Sequence, residues 1–177
     1  MSNVESRTIL DAKAVERALV RISFEIIERN KGTENLCIIG IMGGGVEMAN
    51  IIAGRISAIE GKEVPVGYLD TTPFRDDLNY RGGVMDHSEI DFSLADKRVV
   101  LVDDVLYTGR TVRAAIDGII EKGRPTSIQL AVLVDRGHRE LPIRADFVGK
   151  NLPTSTEERV IVTIAKEGSD VVLIRDH

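Results

Sequence analysis

The sequence predicts an α/β fold, a central and mainly parallel sheet flanked by helices. Two observations carry this. Strand and helix patterns alternate through the middle of the chain, and the strand candidates are almost continuously apolar, as strands buried on both faces must be. Sheets of this kind bind ligands at the carboxyl ends of their strands, so function is sought in the loop after each strand.

Between Asp11 and Asn30, Val15, Ala18, Leu19, Ile22 and Ile26 recur at helical spacing; Asp11 can cap that helix and Gly32 can close it. Leu36 to Ile41 is a short β-rich apolar run that leads into the glycine cluster Gly43-Gly44-Gly45. A second helical stretch runs from about Val46 to Ile59 and stops at Gly61, and Val64 to Leu69 is the next strand candidate. Periodicity then vanishes from Thr71 to Ser93, a stretch holding Pro73, Arg75, Asp76, Asp77, Arg81, Gly82 and Gly83. Long unpatterned segments in compact domains are usually functional or mobile. Pattern returns with a strand at Arg98 to Val102, a loop, a helix from about Thr111 to Lys122 and a strand at Ser127 to Val134. Short β-like runs follow at Ala145 to Val148, Val160 to Ile164 and Val171 to Ile174, with Gly168 as a hairpin turn between the last two.

A chain of 177 residues fits one domain, over residues 1–177, with a real core. Its 43% hydrophobic and 29% charged residues are ordinary for a globular protein. No apolar run approaches the roughly 20 residues of a membrane span. The N-terminus lacks the basic start and apolar core of a signal peptide, so a cytoplasmic location is expected. A net charge of −5 argues against a surface devoted wholly to nucleic acid, but leaves room for one basic face. Cys37 lies in an apolar run and suits the core, while His87, His138 and His177 are too scattered for a zinc site. Neither Gly-x-x-x-x-Gly-Lys-Ser/Thr nor Gly-x-Gly-x-x-Gly occurs, which weakens nucleotide triphosphatase and dinucleotide dehydrogenase readings.

One segment carries chemistry. After Val99-Val100-Leu101-Val102 come Asp103-Asp104, then Val105-Leu106-Tyr107, then Thr108-Gly109-Arg110-Thr111 opening a helix. A buried strand delivers two carboxylates to the sheet edge, where they can accept hydrogen bonds from vicinal ribose hydroxyls near a hydrated magnesium ion. The Thr108 to Thr111 turn presents backbone N–H groups and hydroxyls at a helix N-terminus, a cradle for a phosphate dianion.

Val99 to Thr111 resembles the signature of type I phosphoribosyltransferases. The run Val134 to Asp146 is similar to that of the bacterial pyrimidine operon regulators that double as uracil phosphoribosyltransferases. So are Glu28 to Gly32, Phe74 to Leu78 and Val148 to Asn151. The resemblance implies a type I phosphoribosyltransferase fold with a small hood and a flexible loop, and the reaction of uracil with phosphoribosyl diphosphate to UMP and pyrophosphate. By position it implies that Asp103 and Asp104 hold the ribose, Thr108, Gly109, Arg110 and Thr111 the 5′-phosphate, and Gly43, Gly44 and Gly45 the pyrophosphate. Arg75 and Asp76 would ride on the closing loop, Val134, Asp135 and Arg136 would face the base, and Val160 would reach the nucleotide from the hood. Mg2+ would enter with the substrate, near Asp103 and Asp104, without ligands of its own on the protein. The resemblance further implies a homo-oligomer, dimer or tetramer, and binding of a pyrimidine leader mRNA stem-loop, promoted by UMP and opposed by phosphoribosyl diphosphate. Arg21, His138, Arg139, Arg144 and Lys150 are the candidate RNA contacts.

The chain departs from that pattern twice. Met42, Gly43 and Gly44 stand where the family usually has a polar residue, threonine and often arginine. Weaker donor binding is expected from such a loop, and restoring threonine and arginine at Gly43 and Gly44 is the sequence-based test. On the first helix, Val20 and Phe24 replace polar residues, which should weaken or redirect RNA binding. Two readings compete, an enzyme that also regulates and a nucleotide-sensing RNA-binding regulator with little turnover; a purine-salvage transferase is a third.

Overall fold

The computed structural model describes residues 4–76, 83–165 and 167–176. Its centre is a five-stranded parallel sheet in the order β3-β2-β4-β5-β6, formed by β2 (Leu36–Ile41), β3 (Val66–Leu69), β4 (Arg98–Leu106), β5 (Ser127–Asp135) and β6 (Phe147–Asn151). Successive strand residues face opposite sides, and the packing follows that alternation. Leu36, Ile38, Val100, Val102, Ala131 and Leu133 meet α1 (Ala12–Asn30) and α2 (Val46–Glu60) on one face. Cys37, Ile39, Ile41, Val99, Leu101 and Val132 meet α3 (Arg110–Lys122) on the other. Burial pushes the Cys37 thiol up to about 12, so it remains a protonated core group.

Helix ends obey local chemistry. Asp11 caps α1 by accepting the Ala14 N–H at 2.8 Å, and the chain leaves through Lys31 and Gly32, whose N–H groups reach the carbonyls of Glu28 and Ile27. A second sheet, antiparallel and in the order β1-β8-β7, combines β1 (Val4–Leu10), β8 (Asp170–Asp176) and β7 (Glu158–Thr163). Gly168, at φ +79°, turns the β7–β8 hairpin as expected.

The structure extends or moves several elements. β1 has no strand signature in its sequence, because most of it is exposed and polar; it is a strand because β8 offers it an edge. β4 runs four residues beyond Val102, since β5 supplies ladder partners through Asp103↔Val132, Val105↔Val134 and Leu106↔Asp135. The loop after it therefore shrinks to Tyr107, Thr108 and Gly109, and α3 starts at Arg110. β6 lies two residues later than its apolar signal, and β3 begins after Pro65. Within the unpatterned stretch, Thr72–Phe74 makes a single 3-10 turn and Glu89 bridges back to Tyr68, covering the β3 edge. Asp77, Leu78, Arg81 and Gly82 lie outside the described residues, as does His177.

Candidate functional site

The residues singled out above gather where the parallel strands end. Thr108 anchors the first turn: its hydroxyl accepts the Arg110 N–H at 3.2 Å, and its carbonyl accepts the N–H groups of Glu140 at 2.9 Å and Leu141 at 3.3 Å. Arg110 is held between Glu140 (3.0 Å) and Asp76 (3.2 Å), and Arg75 Nη1 donates to Thr111 Oγ1 at 3.1 Å. The start of the unpatterned segment thus lies across the opening of α3. A cavity of about 290 Å³ is lined by Arg75, Asp103, Tyr107 and the Thr108–Val112 turn. A larger one, about 540 Å³, lies between α1 and α2, with Lys13, Arg55, Glu16 and Glu47 of mixed sign and no convergence on a point. Chemistry, not size, selects the smaller cavity.

Asp103 is only 7% exposed. Burial first, and then the neighbouring Asp104 charge, push its carboxyl well above the ordinary range. Its Oδ1 accepts the Asp104 N–H at 2.9 Å, and Asp104 Oδ1 accepts the Val105 N–H at 2.7 Å. Among the described residues no group of three or more His, Cys, Asp and Glu could cage a metal ion. Two adjacent carboxylates suit the water shell of a magnesium ion that a substrate would carry in, without ligating the ion themselves.

The glycine loop behind β2 closes directly on that pair. A Cβ added at Gly44 would lie 2.0 Å from Asp104 Oδ2 and 2.1 Å from its Cγ, and Gly43 has φ +105°. The first contact leaves no space for a side chain unless the Asp104 carboxylate shifts, and the second disfavours any residue but glycine. The sequence-based repair would thus require the Asp104 carboxylate to move for arginine at Gly44 and a strained φ for threonine at Gly43, where nothing lies within 4 Å; the donor affinity of that variant remains its test. The missing side chains belong to a loop that packs its backbone on Asp104.

Asp70, at the end of β3, was not singled out from sequence. Its carboxylate accepts N–H groups from Thr72 at 3.0 Å and His87 at 3.1 Å, and Ser88 Oγ accepts the Asp70 N–H. It ties together the departing and returning arms of the unpatterned segment. Burial pushes its carboxyl up, but these hydrogen bonds outweigh that and hold it low. The Thr72 contact is a local turn, but the role also needs His87 and Ser88, 17 and 18 positions away, so no local motif signals it.

On the base side, Val134 is buried in β5. Asp135 accepts from Gly137 N–H and from Arg139. The Arg136 guanidinium is spent on Thr154 Oγ1 (3.1 Å) and the carbonyls of Ser155 and Glu158. It also lies over the Tyr107 ring, 4.1 Å from the centroid. Val160 is half-buried on β7 and packs toward the core.

The basic candidates divide. Arg21 donates to the carbonyls of Gly149 (2.6 Å) and Val148 (3.2 Å), joining α1 to β6. Arg139 donates to the Ile143 and Tyr107 carbonyls, and His138 Nε2 lies 2.6 Å from the Thr154 carbonyl. Arg144 and Lys150 are exposed and make no ion pair among the described residues.

A profile of the phosphoribosyl transferase domain matches residues 5–165. The bifunctional protein PyrR of Deinococcus radiodurans is 58% identical over 172 residues, covering 96% of this chain and 94% of that protein. The protein of the same name from Clostridioides difficile is 57% identical and covers 98% and 99%. The pyrimidine operon regulatory protein of Lactococcus lactis is 55% identical and covers 96% of each. In fold, a hypoxanthine phosphoribosyl transferase from Trypanosoma cruzi superposes with a TM-score of 0.74 at 19% identity, over 96% of this chain and 91% of that one. With a matching domain and relatives of this identity along nearly its whole length, the chain belongs to the phosphoribosyl transferase family, in the branch of the PyrR proteins.

Proposed function

We propose that this chain is a uracil phosphoribosyltransferase that also regulates pyrimidine genes by binding a leader mRNA stem-loop in a UMP-dependent way. One observation carries the catalytic half: Asp103, Asp104, the Thr108–Thr111 turn and the Gly43–Gly45 loop meet at one edge of the parallel sheet. That edge offers a diol clamp, a phosphate cradle and a pyrophosphate loop within one nucleotide's reach. The names of its relatives support the regulatory half.

The chain's part in the reaction is positioning and charge placement. Asp103 and Asp104 accept the ribose hydroxyls and fix the anomeric carbon, while the N–H groups and hydroxyls of Thr108 to Thr111 fix the 5′-phosphate. Backbone N–H groups of Gly43 and Gly44 would face the leaving pyrophosphate, the Gly45 N–H being taken by the Ile41 carbonyl, and Arg75 and Asp76 stand where the overlying segment begins. Magnesium, entering with the donor, would neutralise pyrophosphate charge beside Asp103 and Asp104. The basic face for RNA comprises Arg144 and Lys150, with Arg21, His138 and Arg139 at its border. A single domain, a homo-oligomer and a cytoplasmic location complete the reading.

The test is uracil-dependent release of pyrophosphate from phosphoribosyl diphosphate with magnesium, alongside the double variant Asp103→Asn/Asp104→Asn. Turnover lost in the variant supports the enzyme. The backbone-only loop pressed on Asp104 favours a second reading, a regulator that senses nucleotides with little turnover. UMP-dependent RNA binding without pyrophosphate release would select it.

A further inference from the structure

Tyr107 is the residue of the Val99–Thr111 run to which neither the diol clamp nor the phosphate cradle assigns work. It follows the two aspartates and directly precedes Thr108, and it lines the same cavity as Arg75, Asp103 and the Thr108–Thr111 turn. The residue is 36% exposed, and its hydroxyl has no hydrogen-bond partner among the described residues. The ring's pose is nevertheless fixed. The Arg136 guanidinium covers it, immobilised by Thr154, Ser155 and Glu158. The His138 ring meets it edge-on, with centroids 5.7 Å apart and planes at 72°. Arg139 donates to the Tyr107 carbonyl at 2.8 Å, and so holds the backbone too.

We propose that Tyr107 is the platform on which the pyrimidine base stacks, with the ring face away from Arg136 taking the ring of uracil or UMP. The proposal rests on the phosphoribosyltransferase reading. A nucleotide with its hydroxyls at Asp103 and Asp104 and its phosphate at Thr108 to Thr111 must project its base from this strand end, and Tyr107 is the aromatic group there. A ring already clamped on one face by a cation loses little freedom when a second flat group covers the other. Stacking is indifferent to the groups on the base edge, so Tyr107 sets affinity for a flat base while polar neighbours choose among bases.

Calorimetric titration of UMP and of ribose 5-phosphate into the full-length protein, Tyr107→Phe and Tyr107→Leu tests this, with a thermal melt of each variant. Tyr107→Leu is expected to weaken UMP about 5- to 100-fold while ribose 5-phosphate, which has no base, changes by less than about twofold. Tyr107→Phe keeps the ring and holds UMP within about threefold of the parent. Equal losses of both ligands in Tyr107→Leu would make Tyr107 a mere support for the turn, and unchanged UMP binding would also overturn the platform. A parent protein that binds ribose 5-phosphate but not UMP would sink the platform and spare the phosphate cradle; one that binds neither would sink the transferase reading with it.

Discussion

The two loops that face each other across the sheet edge are built on opposite principles. The turn after β4 is held by side chains: Thr108 and Arg110 bond to their own turn, to Glu140 and to Asp76, and Arg75 reaches Thr111. The loop after β2 is held by backbone alone, with Met42 N–H on the Leu69 carbonyl, Gly45 N–H on the Ile41 carbonyl and Gly44 flat against Asp104. The difference teaches what glycine does here. In the first loop side chains hold the turn, whereas in the second their absence lets the main chain approach a carboxylate.

Substitution at Gly44 should break the comparison most severely. Gly44→Ala places a methyl group inside the Asp104 carboxylate, so the loop or the aspartate must move, and an ångström-scale misplacement of a positioning group costs about 100-fold in turnover. Near-parental pyrophosphate release from Gly44→Ala would show that the loop stands off Asp104. Thr111→Val keeps the shape of the other turn but removes a hydroxyl. UMP affinity should fall by about 10-fold, the worth of one hydrogen bond to a charged group. An unchanged dissociation constant would leave phosphate recognition to the backbone in both loops.

A smaller effect concerns the charge between the loops. Asp103 is an acid whose folded-state value is raised, so its ionisation opposes folding at every pH above the ordinary carboxylate value of 3.8. In ligand-free protein, Asp103→Asn should melt higher than the parent at pH 7, and the gap should close as pH falls toward 3.8. A lower melting temperature at pH 7 would count against a strained carboxylate. Asp86 carries the opposite sign. Burial pushes it up, but bonds from Lys122 and Ser88 outweigh this and hold it at about 2, so its contribution survives above 3.8 and is lost as pH falls through 2.

The smallest effects separate the basic residues outside both loops. Arg21→Ala removes two donors to the β6 carbonyls and should cost about 1 kcal/mol of stability in a denaturant melt. Lys150→Ala should leave stability within about 0.5 kcal/mol and lower the salt slope of leader-hairpin binding by about one phosphate contact. An unaltered salt slope would remove Lys150 from the RNA face.

Much of this arrangement was legible before the fold. The 3.6-residue recurrence from Val15 to Ile26 yields α1, Asp11 caps it, and the apolar run at Leu36 to Ile41 yields β2 without change of boundary. Asp103 to Thr111 was legible as a strand–turn–helix unit with a candidate site because its signal is local: strand, acids, turn and helix start adjoin in sequence. β1 was not, since its polar residues pair only once β8 is present. Asp70 was not, because its meaning lies in His87 and Thr72 coming together around it. Nor was the reason for glycine at Gly44, which is Asp104, 60 positions away.

Local order thus decided most of the elements and the chemical inventory, for helix caps, apolar periods and tight turns are short-range matters that a few consecutive residues settle. Packing decided their use. Which acid is buried, which arginine is spent on carbonyls and which aromatic ring stays open depend on contacts between strands and loops distant in the chain, and these exist only once the sheet has closed.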